Sequence, residues 1–104
     1  MSSPTVRSLK YLREQGYHAE VTEKWNSFTK TRKDLWNICD ILAIREGEIL
    51  AVQTTSGSNV AARVKKIAEN EITPIIRSAN IGIHVHGWRK NAKGRWELRV
   101  VDVS

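Results

Sequence analysis

The sequence predicts a layered α/β fold, and two observations carry that prediction. Residues 38–44 (ICDILAI) and 48–55 (EILAVQTT) are continuously apolar over most of their length, and the charged turn REGE separates them. Such runs are typical of central strands with both faces covered, and the short turn favours a hairpin. Residues 56–70 follow at once, with an apolar stripe at helical spacing. Strands followed by helices in this way indicate a sheet with helices packed against it.

The other elements are assigned from periodicity and from turn residues. Apolar residues recur at helical spacing in 6–15, after a Ser-Ser-Pro lead, and alternate in 17–23. Ser58 or Asn59 is the expected N-cap of the second helix, and Thr73 that of a short third helix. The predicted order is helix 6–15, strand 17–23, long loop 24–37, strand 38–44, strand 48–55, helix 56–70, short helix 73–79, strand 81–88 and strand 95–103.

Length and charge narrow the class of protein. A chain of 104 residues with 40% hydrophobic content is expected to form one domain, 1–104, with its own core. The chain carries 17 Lys and Arg against 11 Asp and Glu, a net charge of +6. This balance favours an anionic partner such as nucleic acid, although it also occurs in soluble proteins with other roles.

Cysteine usage and hydropathy indicate the compartment. The single cysteine, Cys39, lies among apolar residues, so we expect a buried, unreactive thiol. No apolar stretch approaches the roughly 20 residues that span a bilayer, and the N-terminal segment lacks the apolar core of a signal peptide. These features predict a cytoplasmic protein without membrane association.

A group of polar residues is predicted at one end of the two central strands. Asp40 and Gln53 lie about equally far from the hairpin turn, so they should be side by side. Gln53 and Thr55 share one face of the sheet, while Thr54 points to the other. A carboxylate, an amide oxygen and a hydroxyl form an oxygen-only set, which suits Mg²⁺.

These residues resemble the motif of the PD-(D/E)XK nuclease superfamily. Its members carry an acid at a strand start, then a hairpin, then an acid-x-lysine pair that ends the next strand. ICDILAI is similar to the PDLIA run of the archaeal Holliday-junction-resolvase-like members, and AVQTTS stands where they carry EVK. The chain is also similar to small phage-encoded members that end this strand in Q-x-T-S. The resemblance implies a restriction-endonuclease-like αβββαβ core, with a central mixed sheet flanked by helices and, here, a C-terminal hairpin.

The resemblance also implies a chemistry, with departures at several positions. Superfamily members hydrolyse phosphodiesters with Mg²⁺ or Mn²⁺, and Asp40 is the metal-binding acid that this chain keeps. Gln53 stands at the second acid and Thr55 at the lysine. Arg7 stands at the glutamate that resolvase-like members carry on the first helix. Glu23, at the end of the first strand, could restore a carboxylate, so the predicted metal ligands are Asp40, Gln53 and Glu23.

Each of these residues also has a simpler interpretation. Asp40 could be a turn acid, and Gln53 and Thr55 could close the end of their strand with hydrogen bonds. Glu23 could form a surface ion pair. Asp34 is a weaker candidate than Glu23. His84 and His86 alternate on one strand, and packing under a helix explains them better than a zinc site.

Two segments are predicted to contact nucleic acid. The loop 24–37 mixes cations with aromatic rings, which neutralise phosphates and stack on unpaired bases, or else pack a satellite core. The start of the second helix offers backbone amides and small polar side chains to a phosphate. The predicted binding residues are Lys24, Trp25, Lys30, Arg32, Lys33, Ser56, Ser58, Asn59 and Arg63.

Three functions remain open from the sequence. The first is a DNA-binding, Mg²⁺-dependent endonuclease that acts on branched or single-stranded DNA through Asp40, Gln53, Thr55 and Glu23. The second is a nucleic-acid-binding module of the same fold without catalysis, and the third is a structural or protein-interaction subunit. By resemblance to the resolvase-like members, a homodimer is expected.

Overall fold

The computed structural model describes residues 3–22 and 24–104, and the side chains of Lys24, Trp25, Asn26 and Arg32 lie outside that description. The described elements are α1 (Pro4–Glu14), β1 (His18–Val21), β2 (Lys24–Asn26), β3 (Thr31–Lys33), β4 (Ile41–Arg45), β5 (Glu48–Ser56), a 3-10 turn (Gly57–Asn59), α2 (Val60–Glu69), α3 (Thr73–Ser78), β6 (Gly82–Lys90) and β7 (Trp96–Asp102).

Five of the strands form one mixed sheet in the order β1-β4-β5-β6-β7. β4 and β5 form the predicted antiparallel hairpin, in which Ile41 pairs with Val52. β5 and β6 are parallel, and Gln53 lies opposite Val85. Because parallel strands need a crossover connection, α2 and α3 lie between them in the chain. The α/β class predicted from the sequence is confirmed.

Two hydrophobic clusters lie on the two faces of this sheet. Leu12 of α1 packs with Ala43 and Val52 on one face. Ile67 of α2 and Ile76 of α3 form a cluster that includes Val85 on the other. Residues 50–55 of β5 are buried throughout, as the continuous apolar run predicted. The core is therefore centred on β5.

One expectation about the central strands is wrong in part. β4 was expected to be covered on both faces, but Ile44 is 47% exposed. Ile49, which pairs with Ile44, is 43% exposed. The physical reason is that α2 and α3 pack over β5 and β6, so this end of the β4–β5 hairpin stays in contact with solvent. A continuous apolar run does not report how far the covering helices extend.

The predicted loop 24–37 contains a small antiparallel sheet. β2 and β3 pair with Lys24 opposite Lys33, and Phe28, in the turn between them, is 97% exposed. Strands of three residues are too short to show a two-residue period, which is why the sequence indicated a loop. Leu35 forms an isolated bridge to Cys39 just before β4.

The caps of the helices follow the predictions only in part. Ser3 caps α1, and its hydroxyl accepts a hydrogen bond from the Val6 amide at 3.2 Å. Asn59 stands at the N-cap of α2, but its side chain makes no capping bond and donates to Ser56 Oγ instead. Thr73 is the first residue of α3 rather than its cap, and its buried hydroxyl donates to the Ile67 carbonyl at 2.6 Å.

α1 is fixed to the sheet by a buried polar group. Ser8 Oγ lies 2.9 Å from His86 Nδ1 and accepts a hydrogen bond from Trp88 Nε1 at 2.8 Å. His86 therefore packs under a helix, as expected.

None of the described helices has both the length and the apolar character needed to cross a membrane.

Candidate functional site

The pairing of β4 with β5 brings Asp40 and Gln53 together. Ile41 pairs with Val52, and the Asp40 amide donates to the Val52 carbonyl at 2.8 Å. Gln53 Nε2 donates to Asp40 Oδ2 at 2.6 Å. The side-by-side placement predicted from equal distances to the turn is confirmed.

Three donors converge on the same carboxylate oxygen. In addition to Gln53 Nε2, Asp40 Oδ2 accepts hydrogen bonds from the Thr54 amide at 2.8 Å and from Thr54 Oγ1 at 3.2 Å. All three donors are neutral. Asp40 is only 5% exposed, so these bonds fix its orientation and offset much of the cost of burying it.

The Thr54 hydroxyl connects this group to α1. Thr5 Oγ1 lies 2.8 Å from Thr54 Oγ1. Since the single Thr54 hydroxyl proton is donated to Asp40, Thr5 is the donor in this second bond. Thr54 faces α1, opposite to Gln53 and Thr55, as the alternation of the strand predicted. Asp40 is thus held from both faces of β5.

Gln53 leaves one polar atom unused. Its Oε1 is fully buried and has no hydrogen-bond partner among the described residues. Buried amide oxygens nearly always have a partner, since an unmade bond costs about 1–3 kcal/mol. Gln53 therefore carries an unsatisfied acceptor beside Asp40.

These residues line a cavity of about 430 Å³, which we call the Asp40 cavity. It is bounded by α1, by the segment before β4, by the end of β5 and by α2. Two carboxylates and two cations line it, Asp34 with Asp40 and Arg63 with Lys66. Its full lining is Pro4, Thr5, Asp34, Asp40, Gln53, Thr54, Thr55, Ser56, Arg63 and Lys66.

The structure places most of the predicted site residues in or beside this cavity. Those that line it are Asp40, Gln53, Thr55, Ser56 and Arg63. Ser58 lines a neighbouring cavity, and Asn59 donates to Ser56 Oγ at 2.9 Å.

Other predicted residues lie elsewhere. Lys30 and Lys33 are exposed on the β2–β3 hairpin and do not line the cavity. Arg7 does not approach Asp40, because its guanidinium stacks 3.5 Å from the centre of the Trp96 ring. Glu23 lies outside the described residues, and so do the side chains of Lys24, Trp25 and Arg32.

Sequence reasoning missed some residues of the site. Lys66 follows Arg63 by three positions on α2, so helical spacing alone could have placed both on one face. Asp34 was ranked below Glu23, although it lines the cavity with Asp40. Thr5 gave no local signal, because only the packing of α1 against β5 brings it to Thr54.

The oxygen donors fit a hard divalent cation with few protein ligands. No group of three or more His, Cys, Asp or Glu side chains that could hold a metal occurs within residues 3–22 and 24–104. Mg²⁺ usually takes one or two carboxylates and fills its other positions with water or phosphate oxygens. Asp34, Asp40 and Gln53, whose side chains carry such oxygens, line one cavity.

Two buried titratable groups lie outside this chemistry. Burial raises the pKa of the Cys39 thiol to about 11, and its Sγ donates to the Ile41 carbonyl at 3.1 Å. Burial, reinforced by the neighbouring His84, lowers the pKa of His86 to about 4. Cys39 is therefore a poor nucleophile and His86 is neutral at pH 7.

Comparison with protein-family models and with curated proteins finds no match to this chain. The geometry of the Asp40 cavity therefore carries the functional argument.

Proposed function

We propose that this protein is a DNA-binding, Mg²⁺-dependent phosphodiester hydrolase with a restriction-endonuclease-like fold, related to the PD-(D/E)XK superfamily. One observation carries the proposal. Asp34, Asp40 and Gln53, whose amide oxygen has no hydrogen-bond partner among the described residues, line the same cavity as Arg63 and Lys66. Metal-ligating oxygens beside phosphate-binding cations are what metal-assisted phosphodiester hydrolysis requires.

The order of elements supports the proposed fold. α1 is followed by three strands of the main sheet, β1, β4 and β5, each antiparallel to its neighbour. α2 then crosses to β6, which is parallel to β5. This is the αβββαβ order, with β2–β3 inserted between the first two strands and β7 added as a C-terminal hairpin.

Three residues would hold the metal. Asp34 and Asp40 provide carboxylates, and Gln53 provides an amide oxygen without a negative charge. A half-turn of the Gln53 amide exchanges Nε2 and Oε1. This rotation would break the hydrogen bond to Asp40 Oδ2 and bring the amide oxygen beside the carboxylate. Bound Mg²⁺ would supply an activated water and neutralise charge on the phosphate.

The cations would bind the substrate. Arg63 and Lys66 face the cavity from α2, where they can contact a phosphodiester next to the metal ligands. Lys66 thus offers a positive charge that Thr55 cannot. The Thr55 hydroxyl also lines the cavity and can orient a water, although it cannot act as a base near pH 7.

The second candidate function is nucleic-acid binding without catalysis. It is favoured by Gln53, whose neutral side chain lowers the negative charge of the metal site. In this case the Asp40 hydrogen bonds are structural, and the cations bind phosphate without cleavage. A structural or protein-interaction subunit is the third candidate.

Cleavage assays separate these functions. Labelled single-stranded and branched DNA is incubated with Mg²⁺ or Mn²⁺ and with the native protein, Asp40→Asn, Lys66→Gln or Lys65→Gln. Lys65 is an exposed neighbour on α2 that does not line the cavity, so it serves as the control. The hydrolase predicts metal-dependent cutting that Asp40→Asn abolishes, Lys66→Gln weakens and Lys65→Gln leaves unchanged. Salt-sensitive binding without cutting indicates the binding module, and no binding indicates the interaction subunit.

Further parts of the proposal concern segments away from the cavity. The cations Lys24, Lys30, Arg32 and Lys33, with Trp25, are proposed to bind DNA along the β2–β3 hairpin. Glu23 remains a proposed additional metal ligand. A homodimer is proposed because a branched DNA has two strands to cut, and the proposed location is the cytoplasm.

A further inference from the structure

A second cavity adjoins the candidate site. Its volume is about 800 Å³, and it lies between the 3-10 turn and the strands β6 and β7. Ser56 lines both cavities. Cavities of about 300–1,000 Å³ accommodate ligands of nucleotide size. We call it the Arg99 cavity.

Two arginines give this cavity a positive wall. Arg99 lies opposite Gly87 in the β6–β7 pairing, and Arg89 lies opposite Glu97 two residues further along β6. Arg89 Nε is 3.8 Å from Glu97 Oε2, which offsets part of its charge. Arg99 has no carboxylate partner in the described part of the chain. A free guanidinium lining a cavity is suited to phosphate.

The shape of the cavity depends on Gly87. A Cβ built on Gly87 would lie 2.3 Å from Val60 Cγ2 and 3.4 Å from Gly57 Cα. The absence of a side chain therefore lets the start of α2 approach β6 and leaves the floor of the Arg99 cavity open. Ser56 Oγ and Ser58 Oγ, 3.3 Å apart, form a polar rim between the two cavities.

We propose that the Arg99 cavity binds the nucleotide next to the phosphodiester held in the Asp40 cavity, on the same DNA single strand. Arg99 and Arg89 contact its phosphate. This inference rests on the proposed function for the role of the Asp40 cavity. It adds a binding position and its direction, from Asp40 past Ser56 to Arg99.

A polynucleotide strand fits this arrangement better than a free nucleotide. The two cavities share Ser56, and cations line both of them, Arg63 and Lys66 in one and Arg89 and Arg99 in the other. Repeating phosphates on one backbone can engage both cation pairs at once. A free nucleotide could occupy only one of the cavities.

Binding of fluorescent oligodeoxynucleotides without divalent ions tests the inference independently of cleavage. The native protein, Arg99→Gln and the control Arg95→Gln are compared by fluorescence anisotropy. Arg95 lies in the turn that joins β6 to β7, is exposed and does not line the cavity. The probe is a single strand of about eight nucleotides, within the range of sites known for single-strand binding proteins. Titrations are run between roughly 0.05 and 0.2 M salt.

The expected result is specific to Arg99. Arg99→Gln should weaken binding by about threefold or more and lower the slope of log K against log salt by about 0.7, the value for one phosphate contact on a single strand. Arg95→Gln should match the native protein. Equal binding by native protein, Arg99→Gln and Arg95→Gln would overturn the inference while leaving the proposed function standing. Absence of any binding by the native protein would also overturn the inference, and the cleavage assay would then decide the proposed function.

Discussion

Gln53 Nε2 donates to Asp40 Oδ2 at 2.6 Å, and the other end of the same amide, Oε1, has no partner among the described residues. A neutral amide is thus fixed against a buried carboxylate by one bond, while its buried oxygen makes none. A glutamate at this position would instead place two negative charges in contact, which is unfavourable without a cation. Gln53 thus lets Asp40 stay buried without a cation beside it.

Gln53→Glu should therefore make folding depend on a divalent ion. Without metal, repulsion from Asp40 should lower the melting temperature below that of the native protein. Added Mg²⁺ should raise it, since a ligand at about 100 times its Kd stabilises by about 2.7 kcal/mol. Thermal melts with and without Mg²⁺ measure the effect, and Gln53→Met, which is uncharged and of similar length, is the control. An equal Mg²⁺ response in both variants would contradict the metal site.

Asp40 has a structural role that must be separated from its proposed role in hydrolysis. Asp40→Ala removes the acceptor for Gln53 Nε2 and the Thr54 amide, and buried donors left without partners cost about 1–3 kcal/mol. Asp40→Asn keeps one acceptor oxygen and should lose less. Urea unfolding of both variants gives the two free energies. If Asp40→Ala were as stable as the native protein, the hydrogen bonds described here would not contribute to the fold.

Gly87 should tolerate no side chain while Val60 is present. In Gly87→Ala the new methyl group would lie 2.3 Å from Val60 Cγ2, and overpacking of this kind costs about 1–3 kcal/mol. The double variant Gly87→Ala/Val60→Ala should recover part of the loss, giving a favourable coupling in a double-mutant cycle. Additive losses would show that Val60 is not the obstacle.

Acid should destabilise the protein through His86. Its pKa is lowered to about 4, below the ordinary value of about 6.5 that applies in the unfolded chain. Between these values the unfolded chain binds a proton that the folded protein does not, so stability falls as the pH drops through 6.5 towards 4. The loss attributable to His86 is about 3 kcal/mol.

The free energy of unfolding, measured by urea at several pH values, checks this expectation. His86→Asn keeps a side chain that can hydrogen-bond to Ser8 but has no titrating ring, so its stability should fall less steeply over the same range. If the free energy of unfolding fell equally steeply with pH in the native protein and in His86→Asn, His86 would not be the cause of the acid sensitivity.

Cys39 should resist thiol reagents in the folded protein. Its side chain is buried, and burial raises its pKa to about 11, so little thiolate exists at pH 8. An aromatic disulfide reagent should label it only after denaturation. Ser78→Cys in a Cys39→Ser background, on the exposed end of α3, is the reactive control. Rapid labelling of native Cys39 would show that the segment before β4 opens.

The hairpin and the Asp40–Gln53 pair could be predicted because they depend on local spacing. Two apolar runs and a four-residue turn fix the register, and the register places Asp40 beside Gln53. The role of Thr54 could not be predicted. Asp40 precedes β4, and its carboxylate accepts hydrogen bonds from the Thr54 backbone and hydroxyl as well as from Gln53 on the other face of β5. That geometry depends on the bend at Asp40.

Contacts between distant elements were beyond the sequence patterns. Thr5 and Thr54 meet only because α1 packs on β5, and the stacking of Arg7 of α1 on Trp96 of β7 also joins elements far apart in the sequence. Lys66 differs, because its spacing from Arg63 is visible in the sequence. Ile44 is exposed because α2 and α3 pack over β5 and β6, and the apolar run does not encode the position of these helices.

The central claim is that Asp40 and Gln53 form a divalent-metal site in the Asp40 cavity. Anomalous diffraction from crystals grown with Mn²⁺ tests it most directly, with Asp40→Asn crystals as the control. We expect a peak within about 2.5 Å of an Asp40 oxygen, with the Gln53 amide turned so that Oε1 faces the ion, and no peak in Asp40→Asn. Native crystals in which the cavity contains no Mn²⁺ and Gln53 Nε2 still donates to Asp40 would contradict the account.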